Sequence, residues 1–289
     1  MGKANKIKFE LRDAVEMVYL IQTLKDIADN KYYSLLNSKD KFRRFNDTFV
    51  EFFRMLRQTS VVNPLIHNDN PVTCIIAITV EGSFLGEFNN KITRLAIKEK
   101  EKHKEFQFLA VGNRSVEQLK KHTPDLKVFE NAESHGFYET AVELKDYLIE
   151  QIFAGQIGKV VVCYTWPKRF ETLKPKVVKL LPCDSLIKDQ SQSTGMIEKV
   201  IEESDPKDVI TYLVNLWVTT ALYEMLIDST IASAASQSQF LEESVDKLKK
   251  EKKKTQMRYL KARKADIDKS LRETFSARMI SMEKAKAAK

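Results

Sequence analysis

The sequence predicts a central α/β domain set between two very long helices. Three observations point to it. No proline or glycine occurs from Lys3 to Asn63, and none occurs after Pro206 through Lys289. Between those stretches, short apolar runs alternate with amphipathic segments. Proline and glycine are the strongest breakers of regular structure, so their absence over such lengths favours unbroken helices.

The first helix carries a seam whose steps alternate four and three: Ile7, Leu11, Ala14, Val18, Ile21, Lys25, Ala28, Tyr32, Leu35, Lys39, Phe42, Asn46, Phe49, Phe53 and Leu56. Twelve of these fifteen positions are apolar. A strict seven-residue repeat keeps one stripe facing a partner helix and winds the pair left-handedly. Fifty such residues span about 75 Å. VNPLIHNDNP, with Pro64 and Pro71, then ends the helix.

The period changes from residue 72 to residue 182. VTCIIAITV (Val72–Val80) reads as a buried strand, followed by a polar helix over Lys91–His103 and a strand over Phe106–Gly112. A short helix runs from Ser115, whose hydroxyl is placed to cap it, to Lys121. Leu126–Phe129 is a weak strand, Tyr138–Phe153 a helix, and Val160–Trp166 and Lys176–Leu181 are strands. Alternation of strands and helices predicts a parallel, Rossmann-like layer. Cys183–Ser204 is polar and reads as a loop.

The last 83 residues can form one helix of up to about 125 Å. Its first third is apolar, with Leu213, Leu216, Trp217, Leu226 and Ile227, and its middle keeps a thinner seam of Leu241, Val245, Leu248, Lys252, Thr255, Tyr259 and Ala262. Helices from opposite ends of a chain can pair as an antiparallel coiled coil. The predicted domains are 1–63 and 206–289, together one shaft, and 64–205. Val209–Ile227 is the nearest approach to a membrane span, but Asn215 and Glu224 interrupt it, so it reads as a buried helix. Met1–Asp13 has no apolar core of the kind a secretory signal carries.

With 43% hydrophobic and 30% charged residues, the chain is globular rather than disordered. Its net charge of +8 is unevenly spread. Residues 249–289 hold fifteen basic and five acidic side chains, so the rest of the chain is close to neutral. KKEKKK (Lys249–Lys254) fits a solvated helix face, a contact for acidic partner segments, or a nucleic-acid tail. Only Tyr259 and Phe275 supply aromatic interleaving nearby, and no nucleic-acid-binding motif accompanies the run, so the third reading is the weakest.

Several stretches resemble the gamma subunit of F-type rotary ATPases. KIKFELRDAVEMVYLIQTLKDIADNKY is similar to that family's opening helix, with Ile7, Lys8, Lys25 and Lys31 on shared identities. IIAITVEGSFLGEFNN resembles its strand and glycine turn through Gly86, Phe88 and Asn89, with Glu81 in the acidic place. FLAVGNRSVEQL and VVVCYTWPKRF, the latter followed by VVKLLP, are similar to two further strand segments. YLKARKADIDKSL carries the closest match, through Tyr259, Lys261, Ala262, Arg263, Ala265, Ile267 and Leu271. The family's MKNAT segment is replaced by FLEESV, and SARMISMEKAKAAK extends past the usual end.

The resemblance implies a central rotor shaft that is not itself an enzyme and needs no cofactor. Its implied partners are three alpha and three beta subunits, an epsilon-like subunit and a membrane rotor ring, with no nucleic acid, at the cytoplasmic face of the bacterial cell membrane. Lys25, Tyr259, Lys261, Arg263, Lys264, Ile267 and Leu271 are the implied contacts to the ring and bearing. Ile7, Leu11, Val18, Ile21, Leu241, Val245 and Leu248 are the expected shaft core. Two alternatives stay open: a rotor repurposed for another output such as motility, and a basic coiled-coil scaffold that binds nucleic acid.

Classical chemistry finds little support. There is no GxxxxGK[ST] phosphate loop, and Gly82 and Gly86 do not complete a dinucleotide fingerprint. His67, His103, His122 and His135 are scattered and read as surface or loop residues. Cys74, Cys163 and Cys183 lack metal or redox spacing and read as buried or free thiols.

Overall fold

A computed structural model of the chain describes residues 3–55, 63–183 and 205–287. The chain has two long helices, α1 (Lys3–Met55) and α6 (Pro206–Ala287). Between them lie β1 (Thr73–Ile78), α2 (Phe88–Lys100), β2 (Phe106–Val111), α3 (Val116–Lys120), β3 (Lys127–Phe129), α4 (Ala132–His135), α5 (Phe137–Phe153), β4 (Lys159–Arg169) and β5 (Thr172–Leu181). Every predicted element is present, with ends shifted by a few residues. The predicted loop at 184–204 and the seam residue Leu56 lie outside the described residues, as do the side chains of Phe42, Asn46, Phe49 and Phe53.

The described residues form two compact units. One is Ala28–Gln237. Its sheet has the order β3-β2-β1-β4-β5, with the first four strands parallel and β5 antiparallel to β4. An all-parallel layer is therefore too simple. β4 and β5 run longer than their apolar cores, and a tight turn at Phe170 and Glu171 joins them as a hairpin. Strand β5 forms a sheet edge and carries Lys174, Pro175, Lys176 and Lys179, which deter pairing with a foreign strand.

The pleat divides the central strands between two cores. Cys74, Ile76, Leu109, Val111, Val160 and Val162 point to one face, where Ala141, Leu144 and Leu148 of α5 and Ile210, Val214, Val218 and Leu222 of α6 cover them. Ile75, Ala77, Phe108, Ala110 and Cys163 point to the other, against Ile92 and Ala96 of α2 and Leu119 of α3. Strands buried on both faces read as continuous apolar runs, which is what TCIIAI and KVVVCY are. The window of α6 apolar enough for a membrane span is half buried, with its apolar face in this core. Its threonines satisfy their hydroxyls within the helix: Thr219, Thr220 and Thr230 each donate to the carbonyl four residues earlier.

Two local features hold the sheet's loops. Gly112 sits at φ +77°, and a Cβ there would lie 2.8 Å from the Thr79 carbonyl oxygen, so the turn after β2 requires glycine. Ser115 does precede α3, but it does not cap it. Its backbone is near-helical because it closes the 3-10 turn Asn113–Ser115, whereas a capping residue needs extended dihedrals. Its hydroxyl is buried with no hydrogen-bond partner.

Within the same unit, Tyr32 of α1 enters a cluster with Ile227, Ile231, Ala234 and Ala235 of α6, and Leu35 and Leu36 pack beside it. Lys31 pairs with Glu133 of α4, and Lys39 pairs with Asp228 of α6.

The second unit is Met1–Ile27 with Ser238–Lys289. Here the two helices run antiparallel. Ala4 and Asn5 share a hollow with residues from Tyr259 to Leu271, while Glu10, further along α1, pairs with the earlier Arg258 at 3.6 Å.

Candidate functional site

The expected shaft core falls on the paired faces of the second unit. Ile7, Leu241 and Val245 are buried, and Leu11, Val18, Ile21 and Leu248 are half-buried. The thinner seam continues through Lys252, Thr255, Tyr259 and Ala262, all half-buried, while the intervening residues face solvent. Lys25 also lies half-buried on the α1 seam.

Beyond Ala262 the environment changes. Every described side chain from Arg263 to Met282 is exposed. Helical spacing nevertheless persists: Ile267, Leu271, Phe275, Met279 and Met282 step by four, four, four and three, and so lie along one stripe. Ile267 and Leu271 are 50% and 52% exposed, and Phe275, Met279 and Met282 more so. Leaving such a side chain in water forgoes roughly 1.5–3 kcal/mol that burial would supply.

At the start of the stripe, Tyr259, Arg263, Asp266, Ile267, Ser270 and Leu271 line an open hollow of about 440 Å³ with Ala4 and Asn5. Four of the expected contact residues therefore meet there: Tyr259, Arg263, Ile267 and Leu271. Lys261 and Lys264 are exposed but do not line the hollow, and neither does Lys25. Phe275, Met279 and Met282 were not among the expected contacts, although their four- and three-residue spacing is visible in the sequence. Lys249, Lys250, Lys253 and Lys254 are exposed earlier on the same helix, while Lys252 between them lies half-buried on the seam.

The remaining candidates for chemistry are structural. The loop after β1 is tied shut: Glu81 accepts from the Asn113 amide at 2.9 Å and from Arg114 Nε at 3.0 Å. Asn89 brackets the backbone of Val80, accepting from its amide at 3.1 Å and donating to its carbonyl at 2.8 Å. Ala232 of α6 packs against Val80, Leu85 and Phe88, and Gln237 donates to the Ser83 carbonyl at 2.9 Å. The Gly82–Gly86 segment is thus a packed turn.

Burial pushes the Cys74 and Cys163 thiols up to about 12, which leaves them protonated and unreactive. Cys183 is also buried, its thiol donating to the Leu180 carbonyl oxygen. His67 is exposed, as expected, and His135 lies between Glu130 and Glu143. His103 lies in the loop after α2, half-buried beside Thr73 and Glu99, with Nε2 lacking a hydrogen bond. No group of His, Cys, Asp and Glu side chains is arranged to hold a metal ion among the described residues.

Comparison with known proteins decides the family. The family model described as ATP synthase matches residues 4–278, nearly the whole chain. The chain belongs to the ATP synthase family. Among its relatives, the ATP synthase gamma chain of Chlorobium phaeobacteroides is 25% identical over 94% of this chain and 96% of its own length. That of Desulforudis audaxviator is 29% identical, over 58% of this chain and 61% of its own length. Solved structures share the fold. The central stalk and c-ring structure of Tetrahymena thermophila mitochondrial ATP synthase has a chain that aligns with a TM-score of 0.60 at 19% identity, over 78% of this chain and 99% of its own. A chain from the OSCP/F1/c-ring structure of the Euglena gracilis enzyme aligns at 0.61 with 14% identity, over 98% and 95%. The chain is a gamma-type subunit of an ATPase complex, with a central-stalk fold. The motility-rotor and nucleic-acid alternatives are not favoured.

Proposed function

We propose that this chain transmits torque as the central shaft of a rotary ATPase. Segments 1–63 and 206–289 form the shaft, and 64–205 is its side domain. Its partners are a ring of three alpha and three beta subunits, an epsilon-like subunit and a membrane rotor ring. It binds no cofactor and catalyses nothing alone. It works at the cytoplasmic face of a bacterial membrane, held there through its partners.

The observation that carries the reading is the exposed stripe from Ile267 to Met282 on a helix whose earlier half is buried. Apolar side chains held in water at helical spacing suit a sleeve that encloses the helix. Tyr259, Arg263, Ile267 and Leu271 make the first contacts around the hollow. Lys25, Lys261 and Lys264 supply charge to acidic segments of the ring. An asymmetric shaft touches each catalytic site differently, so each site favours a different nucleotide state, and turning the shaft moves those preferences around the ring.

The test is affinity purification of the tagged full chain from its native cell at near-physiological salt. Alpha and beta ATPase subunits should copurify at three copies each per copy of the chain. Recovery of the chain alone as a monomer would overturn the reading.

A further inference from the structure

We infer that Lys39 and Asp228 form a register pin: a charged pair whose task is to fix how far α1 is advanced along α6. The inference rests on helix pairing within the Ala28–Gln237 unit and stands apart from the proposed rotor function.

Asp228 is the unusual member. Its side chain is only 6% exposed on an otherwise small and aliphatic helix face. Lys39 reaches it from α1, and Lys176 of β5 lies close enough to act on its charge. The buried Tyr164 phenol of β4 feels both Asp228 and Glu224, which sits one turn earlier on α6. Lys39 makes the contact, while Lys176 of β5 and Glu224 of α6 add their charges to the same neighbourhood. Burial nonetheless raises the Asp228 carboxyl above its ordinary range, even with the lysines opposing that shift. The pair is therefore a poor device for stability, since desolvation consumes much of the attraction.

Its neighbours explain why a device is needed. Around it, α1 and α6 meet through Tyr32, Leu35, Ile227, Ile231, Ala234 and Ala235. A heptad seam of aliphatic and small residues looks much the same after a seven-residue slide. The charges do not. Sliding one helix by a heptad brings Ala221 or Ala235 opposite Lys39, and Tyr32 or Asn46 opposite Asp228. Either slide parts the buried carboxylate from Lys39 and leaves only the more distant Lys176 to oppose its charge, and breaking a buried pair in this way is strongly unfavourable. One polar position in an apolar seam is a well-attested way to set register at a cost in stability.

The full chain with spin labels at Tyr33 and Tyr212, both exposed and one on each helix, tests this by pulsed dipolar spectroscopy. The three cysteines of the described structure are buried and stay unlabelled. A one-heptad slide changes the separation along the axis by about 10 Å. The unmodified pair should give one distance. Lys39→Met with Asp228→Leu, which removes both charges together, should keep or raise the melting temperature and add a second distance offset by about 10 Å. Lys39→Asp with Asp228→Lys should return the single distance. A single unchanged distance in the Met/Leu variant would overturn the inference. So would a fall in melting temperature with the distance unchanged, since that is the behaviour of an ordinary stabilising pair. Should the Met/Leu variant fail to fold, Lys39→Met alone decides: a second distance supports the pin, and one distance removes it.

Discussion

Helix α6 behaves as two different helices joined end to end. Between Ile210 and Ala235 it is a core element, with Val214, Val218, Leu222, Ile231 and Ala234 excluded from solvent. Between Arg263 and Met282 the apolar residues are sparser, interleaved with eight charged side chains, and all of them face water. Composition therefore separates the two halves in part. Cover separates them further: for the first half the same chain supplies it, through the sheet and α5. The second half must be held by helix propensity and by local pairs such as Lys269 with Glu273, each worth a few tenths of a kcal/mol. A helix built this way is prepared for a partner it does not itself provide.

Substitutions can break that contrast. The largest effect is expected for Leu222→Asp, which places an unpaired charge in the core. The loss should exceed about 4 kcal/mol and appear as a chain without a cooperative unfolding transition. Val18→Pro should come next, at about 3 kcal/mol or more, because it removes a hydrogen bond and clashes within α1. Far-ultraviolet circular dichroism should show lost helix, and ATP hydrolysis by the assembled ring should continue while its coupling to rotation falls.

Leu271→Ala should leave stability within about 0.5 kcal/mol, since the side chain is already wet. Its affinity for the alpha and beta ring should nevertheless fall by about tenfold or more if the stripe is an interface anchor. Equal affinity would place the interface elsewhere on the helix.

The smallest effect concerns pH. The folded Asp228 carboxyl is raised above its unfolded value, so its contribution to stability is fully present below the unfolded value and is lost as pH rises through the folded one. Compared with Asp228→Asn, the unmodified chain should gain melting temperature as pH falls from neutral toward the ordinary carboxylate range. A pH-independent difference would show that the carboxyl is not desolvated as described.

Much of this was legible in the sequence because long helices announce themselves twice, by missing breakers and by a sustained period. The α1 seam from Ile7 to Lys39 is excluded or half-excluded from solvent at every step, and the sparse α6 seam holds through Ala262. The strands were legible because burial on both faces makes them continuously apolar. The hairpin direction of β5 was not, because an apolar run carries no sign of polarity and the turn at Phe170 lacks glycine or proline. Ser115 misled for a different reason: capping depends on a backbone dihedral that the preceding turn sets. The stripe beyond Leu271 was spaced correctly in the sequence, yet periodicity reports that residues share a face and not whether anything covers it. Asp228 was hidden for the same reason, since its partner lies 189 positions away along the chain.

The packing of Ala232 and Gln237 on the turn after β1 has a consequence for what this domain can become. Open α/β sheets ordinarily keep a mouth at the carboxyl ends of their strands, where the order reverses, and that mouth is where they acquire small molecules. Here that position beside β1 is roofed by the chain's own helix. A nucleotide could enter at this spot only if α6 were lifted off the turn, which would strip Ala232 from Val80, Leu85 and Phe88. The domain is in that sense closed to a small molecule here.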